Sequence, residues 1–131
     1  MSNDSDLSDK QKKRILLAED DTFISKALTL GLKKVGFDIV NSSNGRETLE
    51  KMKIDDFDLL LLDLMMPDMD GFTVLDKLRE EGLIDSVPII VLSNLGQQSD
   101  IKKCEEYGVK DYLIKADYTI AEIVEKINKV I

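Results

Sequence analysis

Polar side chains follow directly on four short apolar runs of this sequence. Glu19 and Asp20 follow the first run, Asp63 the second, Ser93 the third and Lys115 the fourth. The carboxyl ends of parallel strands meet at one edge of an open sheet, and ligands of such sheets bind there. If the four runs are strands of one sheet, we expect these five side chains to meet in one site.

Three carboxylates and an ammonium at one edge predict magnesium-dependent phosphoryl chemistry. Converging carboxylates repel one another unless a cation joins them, and a hard divalent ion with oxygen ligands meets that need. The sequence has no histidine, which favours Mg²⁺ over zinc. An aspartate beside the metal and a lysine can attack a phosphoryl group, because both cations neutralise the charge that builds on it. The Ser93 hydroxyl can hydrogen-bond a phosphoryl oxygen.

Each of these residues, taken alone, has a simpler interpretation. An aspartate after a strand commonly caps the next helix, a lysine there is commonly solvated, and a serine is commonly a turn residue. Their joint placement at one edge favours a functional site. Asp21 keeps the simpler interpretation, and either it or Thr22 is predicted to cap the first helix.

The apolar pattern along the chain predicts five strands and five helices in strict alternation, and these elements would position the polar residues. The predicted strands are short and rich in Leu, Ile and Val without polar alternation, as in a parallel sheet buried on both faces, and the alternation with helices indicates an open, doubly wound α/β sheet. These strands cover residues 15–18, 37–40, 57–62, 89–92 and 112–114. Predicted N-caps of the second, third and fifth helices are Asn44, Asp70 and Thr119. The apolar face of the first helix comprises Ile24, Ala27, Leu28, Leu32 and Val35, and that of the last comprises Ile120, Ile123, Val124, Ile127 and Ile131.

The composition excludes several other classes of protein. A single cysteine and no histidine rule out an internal disulfide, a zinc finger and imidazole catalysis. With 18 Lys and Arg against 26 Asp and Glu, the net charge of −8 disfavours direct binding of nucleic acid, and the basic residues of 10–14 are read as a solvated entry to the first strand.

The sequence also predicts the domain organisation and the cellular location. No apolar run approaches the ~20 residues that span a bilayer, and no signal peptide is recognisable, so we expect a cytoplasmic protein without membrane insertion. Residues 1–12 are predicted to be a loose polar leader, and residues 13–131 a single domain.

Four motifs resemble the receiver domain of two-component response regulators. They are ILLAEDD at 15–21, LDLMMPDMDG at 62–71, VLS at 91–93 and YLIK at 112–115. The resemblance covers about residues 13–131, and the motif around Asp63 is its most specific part. It implies a flavodoxin-like (βα)5 fold, a doubly wound parallel sheet with strand order 2-1-3-4-5.

The resemblance also implies a function and a set of metal ligands. Asp63 would accept a phosphoryl group from the phosphohistidine of a histidine kinase or a histidine phosphotransfer protein. Asp20 and Asp63 would ligate Mg²⁺ with their side chains, Met65 with its backbone carbonyl, and Glu19 through a water molecule.

The resemblance assigns further roles to residues near Asp63. Ser93 and Lys115 would contact the phosphoryl group, and Tyr112 would be a switch residue that turns inward when the hydroxyl of Ser93 moves. The switched surface would comprise the fourth helix, fifth strand and fifth helix and would bind a downstream protein. Met66 and Met69 are assigned to packing against neighbouring helices.

Two other functions compete with a phospho-accepting receiver. A degenerate receiver would be a constitutive protein-interaction module, but such a module is expected to lack Asp63, Lys115 or the acidic pair, all of which are present. A phosphatase with an aspartate nucleophile usually has a second aspartate two residues later as general acid, where this chain has Met65. We therefore expect no enzymatic turnover beyond slow self-dephosphorylation.

The chain departs from the receiver pattern immediately after Lys115. Receivers usually have a proline there, in a cis peptide that directs the ammonium, whereas this chain has Ala116. A cis bond before a residue other than proline costs ~3–4 kcal/mol, so we predict a trans bond with Lys115 still reaching Asp63. In the loop after Asp63, Pro67 is predicted to fix the backbone and Gly71 to supply a left-handed turn.

Overall fold

The computed structural model describes residues 12–131, so the predicted leader, apart from Lys12, lies outside the described residues. The strands are β1 Arg14–Ala18, β2 Asp38–Ser42, β3 Leu59–Leu62, β4 Ile89–Ser93 and β5 Asp111–Ile114. The helices are α1 Thr22–Lys34, α2 Gly45–Ile54, α3 Gly71–Glu80, α4 Gln98–Glu106 and α5 Ile120–Val130. The predicted alternation is confirmed, with one addition: a 3-10 turn, Lys115–Asp117, follows β5.

All five strands are parallel and lie in the order β2-β1-β3-β4-β5, as predicted. Ala18, at the end of β1, pairs with Ser42 on one side and with Leu62 on the other. At the other side of the sheet, Ser93 of β4 pairs with Ile114 of β5. This register brings the carboxyl ends of the strands to one edge, so the residues that follow them share a surface.

Alternate residues of each strand pack into two apolar layers, one on each face of the sheet. One layer contains Leu16, Leu60, Leu62 and Val91 with Leu49, Met52, Val74, Leu75, Leu78 and Cys104 of α2, α3 and α4. The other contains Ile15, Leu17, Leu59, Leu61, Ile90, Leu92 and Leu113 with Leu28, Leu32, Ile123, Val124 and Ile127 of α1 and α5. Full burial of one such side chain contributes about 1.5–3 kcal/mol, which makes the sheet a rigid base for its edge.

The helix starts follow the caps expected from the sequence. The side chains of Asp21, Asn44, Asp70 and Thr119 each accept a backbone N–H from the first turn of the helix that follows. Helix α4 differs, since Gln97 makes no side-chain cap hydrogen bond and Cys104 is its one buried residue. Of the helices in residues 12–131, none has the length and hydrophobicity needed to span a bilayer.

Strands β1, β4 and β5 are each one residue longer than predicted, and three further differences concern β3, β2 and the end of α1. Strand β3 begins at Leu59 rather than at residue 57, because Asp58 turns its carboxylate to the backbone N–H of Arg14 at 2.8 Å. Strand β2 lies further along the chain than predicted, since it continues through Ser42 to match the end of β1. Val35 lies beyond α1 and is 51% exposed, so it does not belong to the buried helix face.

Candidate functional site

Three carboxylates converge at the carboxyl edge of the sheet, as the sequence predicts. Glu19 and Asp20 follow β1, and Asp63 follows β3, which is the strand beside β1. One carboxylate oxygen from each residue lies within 4.8 Å of the other two. Glu19 and Asp63 are buried, while Asp20 is exposed and forms the open side of the cluster.

Lys115 places its ammonium between two of these carboxylates. Its Nζ atom lies 2.7 Å from Glu19 Oε1 and 3.0 Å from Asp63 Oδ2, and its side chain is 13% exposed. The Lys115–Ala116 peptide is trans, because the described residues contain no cis bond. Both predictions for this residue are therefore confirmed: a trans bond, and an ammonium that reaches Asp63.

Burial and the neighbouring charges shift the pKa values of this cluster. Burial raises the pKa of Glu19 to about 7; the contact with the Lys115 ammonium lowers it, and repulsion from Asp63 raises it further. Burial alone would lower the pKa of Lys115, but its contacts with Glu19 and Asp63 outweigh that effect and raise it. Lys115 therefore remains an ammonium at neutral pH, whereas the pKa of Glu19 lies close to neutral pH.

The donor set at this edge fits a hard divalent cation. Glu19 Oε2 accepts the N–H of Asp21 at 3.1 Å, and the buried Oε1 atom is paired with the Lys115 ammonium at 2.7 Å. One ammonium offsets only part of the negative charge of three neighbouring carboxylates, so a divalent cation at the open side would stabilise the cluster. Carboxylate oxygens with an open, exposed side are the ligand type that Mg²⁺ prefers, since it retains several waters.

The loop after Asp63 is shaped by close backbone contacts. The backbone N–H of Met65 donates to Asp63 Oδ1 at 3.1 Å, so the loop itself helps to fix the orientation of the carboxylate. The left-handed residue of this loop is Asp68, with φ +67°, so the prediction that Gly71 supplies the turn is wrong. Gly71 is required for another reason, because a Cβ there would lie 2.6 Å from the carbonyl oxygen of Asp63 and 2.7 Å from Leu64 Cα.

Two methionines of this loop pack on the core, as the sequence predicts. Met66 is buried in the core layer beneath the loop, and Met69 packs against the same layer. Met65 exposes 57% of its surface at the site. A Cβ on Gly45, at the start of α2, would lie 1.8 Å from the carbonyl oxygen of Met69, so this glycine lets α2 approach the loop.

Ser93 and Tyr112 both form hydrogen bonds with the backbone of Leu95, and through it they are linked to each other. The buried Ser93 hydroxyl accepts the N–H of Leu95 at 3.3 Å, and the Tyr112 hydroxyl donates to the carbonyl of Leu95. Tyr112 is half-buried against the core, and burial raises its pKa to about 12, so its hydroxyl remains a donor. Tyr112 thus packs partly on the core with its hydroxyl held by the backbone of the segment after β4.

Two residues next to Ser93 were not predicted from the sequence. Leu95 joins Ser93 to Tyr112, and Asn94 accepts the backbone N–H of Ala116 on its side-chain oxygen at 3.2 Å. The available signal was the position of both residues in the turn directly after the strand end at Ser93, where polar side chains and free backbone groups bond one another.

The chain was compared with known proteins, and residues 15–128 match the family described as the response regulator receiver domain. A protein named "Probable transcriptional regulator ycf27" from Porphyridium aerugineum is 36% identical over 92% of this chain and 49% of its own length. The cell cycle response regulator CtrA of Brucella ovis is 33% identical over 90% of this chain and 50% of its own length. The chain thus spans about half the length of these relatives.

Solved structures show the same fold. A receiver domain of Francisella response regulator 1452 superposes with a TM-score of 0.82 at 28% identity, covering 91% of this chain and 96% of that one. A DNA-binding response regulator of the LuxR family from Staphylococcus aureus superposes with a TM-score of 0.81 at 28% identity, covering 90% of this chain and 98% of that one.

Proposed function

The chain belongs to the response regulator receiver domain family, and from that premise we propose that Asp63 is its phosphoryl acceptor. One observation supports this choice: the Asp63 carboxylate is held from two sides, by the Met65 N–H at 3.1 Å and by the Lys115 ammonium at 3.0 Å. A carboxylate fixed in this way needs little further ordering before it attacks. Asp20, which is exposed, has no comparable fixation among the hydrogen bonds of the described residues.

In this proposal Glu19, Asp20 and Asp63 form the metal site. Asp20 and Asp63 provide ligand oxygens, Met65 provides its backbone carbonyl, and Glu19 acts through a water molecule. Mg²⁺, when bound there, neutralises charge on the phosphoryl oxygens. The three carboxylate oxygens within 4.8 Å of one another and the open side at Asp20 support a hydrated cation at this cluster.

The proposed reaction is a phosphoryl transfer to a carboxylate oxygen. A bond forms between an oxygen of Asp63 and phosphorus while the bond from phosphorus to the imidazole nitrogen of the donor breaks, and the imidazole leaves with the electron pair. Lys115 is the cation from the protein that faces the developing charge, and its raised pKa keeps it charged. Ser93 would donate its hydroxyl to a phosphoryl oxygen after releasing the N–H of Leu95.

The partners and output are proposed from the family. Response regulator receiver domains interact with histidine kinases, and we propose a kinase or a histidine phosphotransfer protein as the donor for this chain. Because the chain spans about half of its curated relatives, a transcriptional output belongs to those relatives by name and is not assigned to this chain. We propose that α4, β5 and α5 form the switched surface, that slow hydrolysis of the acyl phosphate resets it, and that the protein is cytoplasmic.

A small phosphodonor tests the proposal without knowledge of the cognate kinase. Incubation with acetyl phosphate and Mg²⁺ should add one phosphoryl mass to the intact protein, and EDTA should prevent the addition. The matched control is Asp63→Asn, which keeps the size of the side chain but removes the nucleophilic carboxylate. Equal phosphorylation of this variant and the wild type would show that Asp63 is not the acceptor.

A further inference from the structure

The segment after β4 is tied to β5 and the turn that follows it by two hydrogen bonds. The Tyr112 hydroxyl donates to the carbonyl of Leu95, and the backbone N–H of Ala116 donates to Asn94 Oδ1 at 3.2 Å. The second bond spans 22 positions of the chain and joins the residue after Ser93 to the residue after Lys115. The neighbours of the two proposed phosphoryl contacts are therefore directly linked.

This second bond depends on the residue that departs from the receiver pattern. A proline at position 116 would have no backbone N–H, so the donor exists because this chain has a residue other than proline there, Ala116. The acceptor is a side-chain oxygen that an apolar residue at position 94 would lack. Both halves of the contact are thus specified by this sequence.

We propose that Asn94 is a positioning residue for Lys115, acting through the Ala116 backbone. This inference rests on the proposed function, since it concerns how Lys115 is held when a phosphoryl group reaches Asp63. Lys115 begins a 3-10 turn, and the Asn94 bond holds that turn against the end of β4. Without it, the ammonium keeps its charge and its reach, but the backbone from which it extends is less restricted.

The arrangement has a direct consequence for the chemistry. In the resting site Lys115 is shared between Glu19 and Asp63 at 2.7 and 3.0 Å, and it must shift toward the phosphoryl oxygens during transfer. A fixed backbone limits that shift to the side chain, so the charge remains aimed at the reacting group. Loss of preorganisation of this kind lowers the transfer rate, not the stability of the ion pairs.

A double-mutant cycle on the phosphorylation rate tests this role. Asn94→Ala removes the acceptor, Ala116→Pro removes the donor, and both are combined in a third variant. With saturating acetyl phosphate and Mg²⁺, we expect Asn94→Ala to slow phosphorylation about threefold in the wild-type background, the effect expected for one neutral hydrogen bond at a surface. In the Ala116→Pro background the N–H is absent whichever isomer the new peptide bond adopts, so Asn94→Ala should cause no further loss of rate there.

Controls separate positioning from folding and from direct contact with the donor. Gln97→Ala changes another exposed residue of the same loop that makes no side-chain cap hydrogen bond, and it should keep the wild-type rate. Urea unfolding checks that each variant is folded under the assay conditions, since a small loss of stability leaves the rate of a fully folded protein unchanged. Amide exchange should show the Ala116 N–H protected in the wild type and less protected in Asn94→Ala, which tests the bond even if Ala116→Pro does not fold.

The outcomes distinguish this inference from the proposed function. A wild-type rate in Asn94→Ala, rate losses that multiply in the double variant, or an unprotected Ala116 N–H in the wild type would each overturn the positioning role. If the wild-type protein itself gains no phosphoryl group, the proposed function fails, and the positioning role fails with it.

Discussion

Replacing Glu19 by glutamine should stabilise the protein in the absence of divalent cations. Glu19 is 3% exposed, lies beside Asp63, and carries a pKa of about 7 compared with 4.5 for an ordinary glutamate. A pKa difference of this size between the folded and unfolded states corresponds to a loss of stability of at most about 3 kcal/mol when Glu19 is ionised. Glutamine keeps the shape but removes the buried charge. We expect a gain of about 1–2 kcal/mol at pH 8, because the amide also loses attraction to Lys115.

The sign of the pH dependence is specific to a raised carboxyl pKa. Between pH 4.5 and about 7 the folded wild type binds more protons at Glu19 than the unfolded chain does, so the contribution of this group to stability falls as the pH rises. Below pH 4.5 the carboxyl is protonated in both states, and the advantage of Glu19→Gln should largely disappear. Above pH 7 it should reach its full value.

Urea denaturation in EDTA at several pH values measures this effect. The matched control is Glu125→Gln, because Glu125 lies on α5 with a 72% exposed side chain and, within residues 12–131, forms a salt bridge with Lys129 at 3.6 Å. An exposed pair of this kind contributes little, so the control should change stability by less than about 0.5 kcal/mol at every pH. A Glu19→Gln variant that is less stable than the wild type at pH 8, or whose advantage is the same at pH 4.5 and pH 8, would refute the reasoning.

Two further predictions concern the surroundings of the site. Gly71→Ala should lower the free energy of unfolding, measured by urea denaturation, by about 1–3 kcal/mol, because its Cβ would lie 2.6 Å from the Asp63 carbonyl oxygen. The control is Gly96→Ala, whose Cβ would lie 3.2 Å from the flexible end of the Ile114 side chain. Equal stability of the two variants would contradict the close-approach argument. Burial raises the pKa of Cys104 from 9.0 to about 11, so alkylation by iodoacetamide at pH 8 should be at least about a hundredfold slower in the folded protein than in urea. Similar rates in the two states would show that the thiol is accessible.

The fold and the charged cluster could be predicted because they depend on local patterns and one topological rule. The apolar runs and the caps at Asp21, Asn44, Asp70 and Thr119 each involve residues close in sequence, and they fix where the elements begin. Once parallel strands are assumed, their ends must lie at one edge. The convergence of Glu19, Asp20, Asp63 and Lys115 follows from that rule alone. The motif around Asp63 added the strand order and the separate roles within the cluster.

The contacts that were not predicted depend on distances between backbones far apart in sequence. A glycine motif does not reveal whether Gly71 supplies a left-handed turn or a close approach, and only the position of the Asp63 carbonyl decides it. The Asn94–Ala116 and Tyr112–Leu95 bonds each pair a side chain with a backbone group far away in the sequence. The residue types allow such bonds, but they do not reveal which side chain meets which backbone group.

Locating the phosphoryl group by reductive trapping is the most direct test of the central claim. The protein is treated with acetyl phosphate and Mg²⁺, the acyl phosphate is reduced with borohydride, and the modified residue is identified by peptide mass spectrometry. We expect reduction at residue 63 alone, with none in EDTA and none in Asp63→Asn. Reduction at Asp20 or another carboxylate, with residue 63 unmodified, would contradict it.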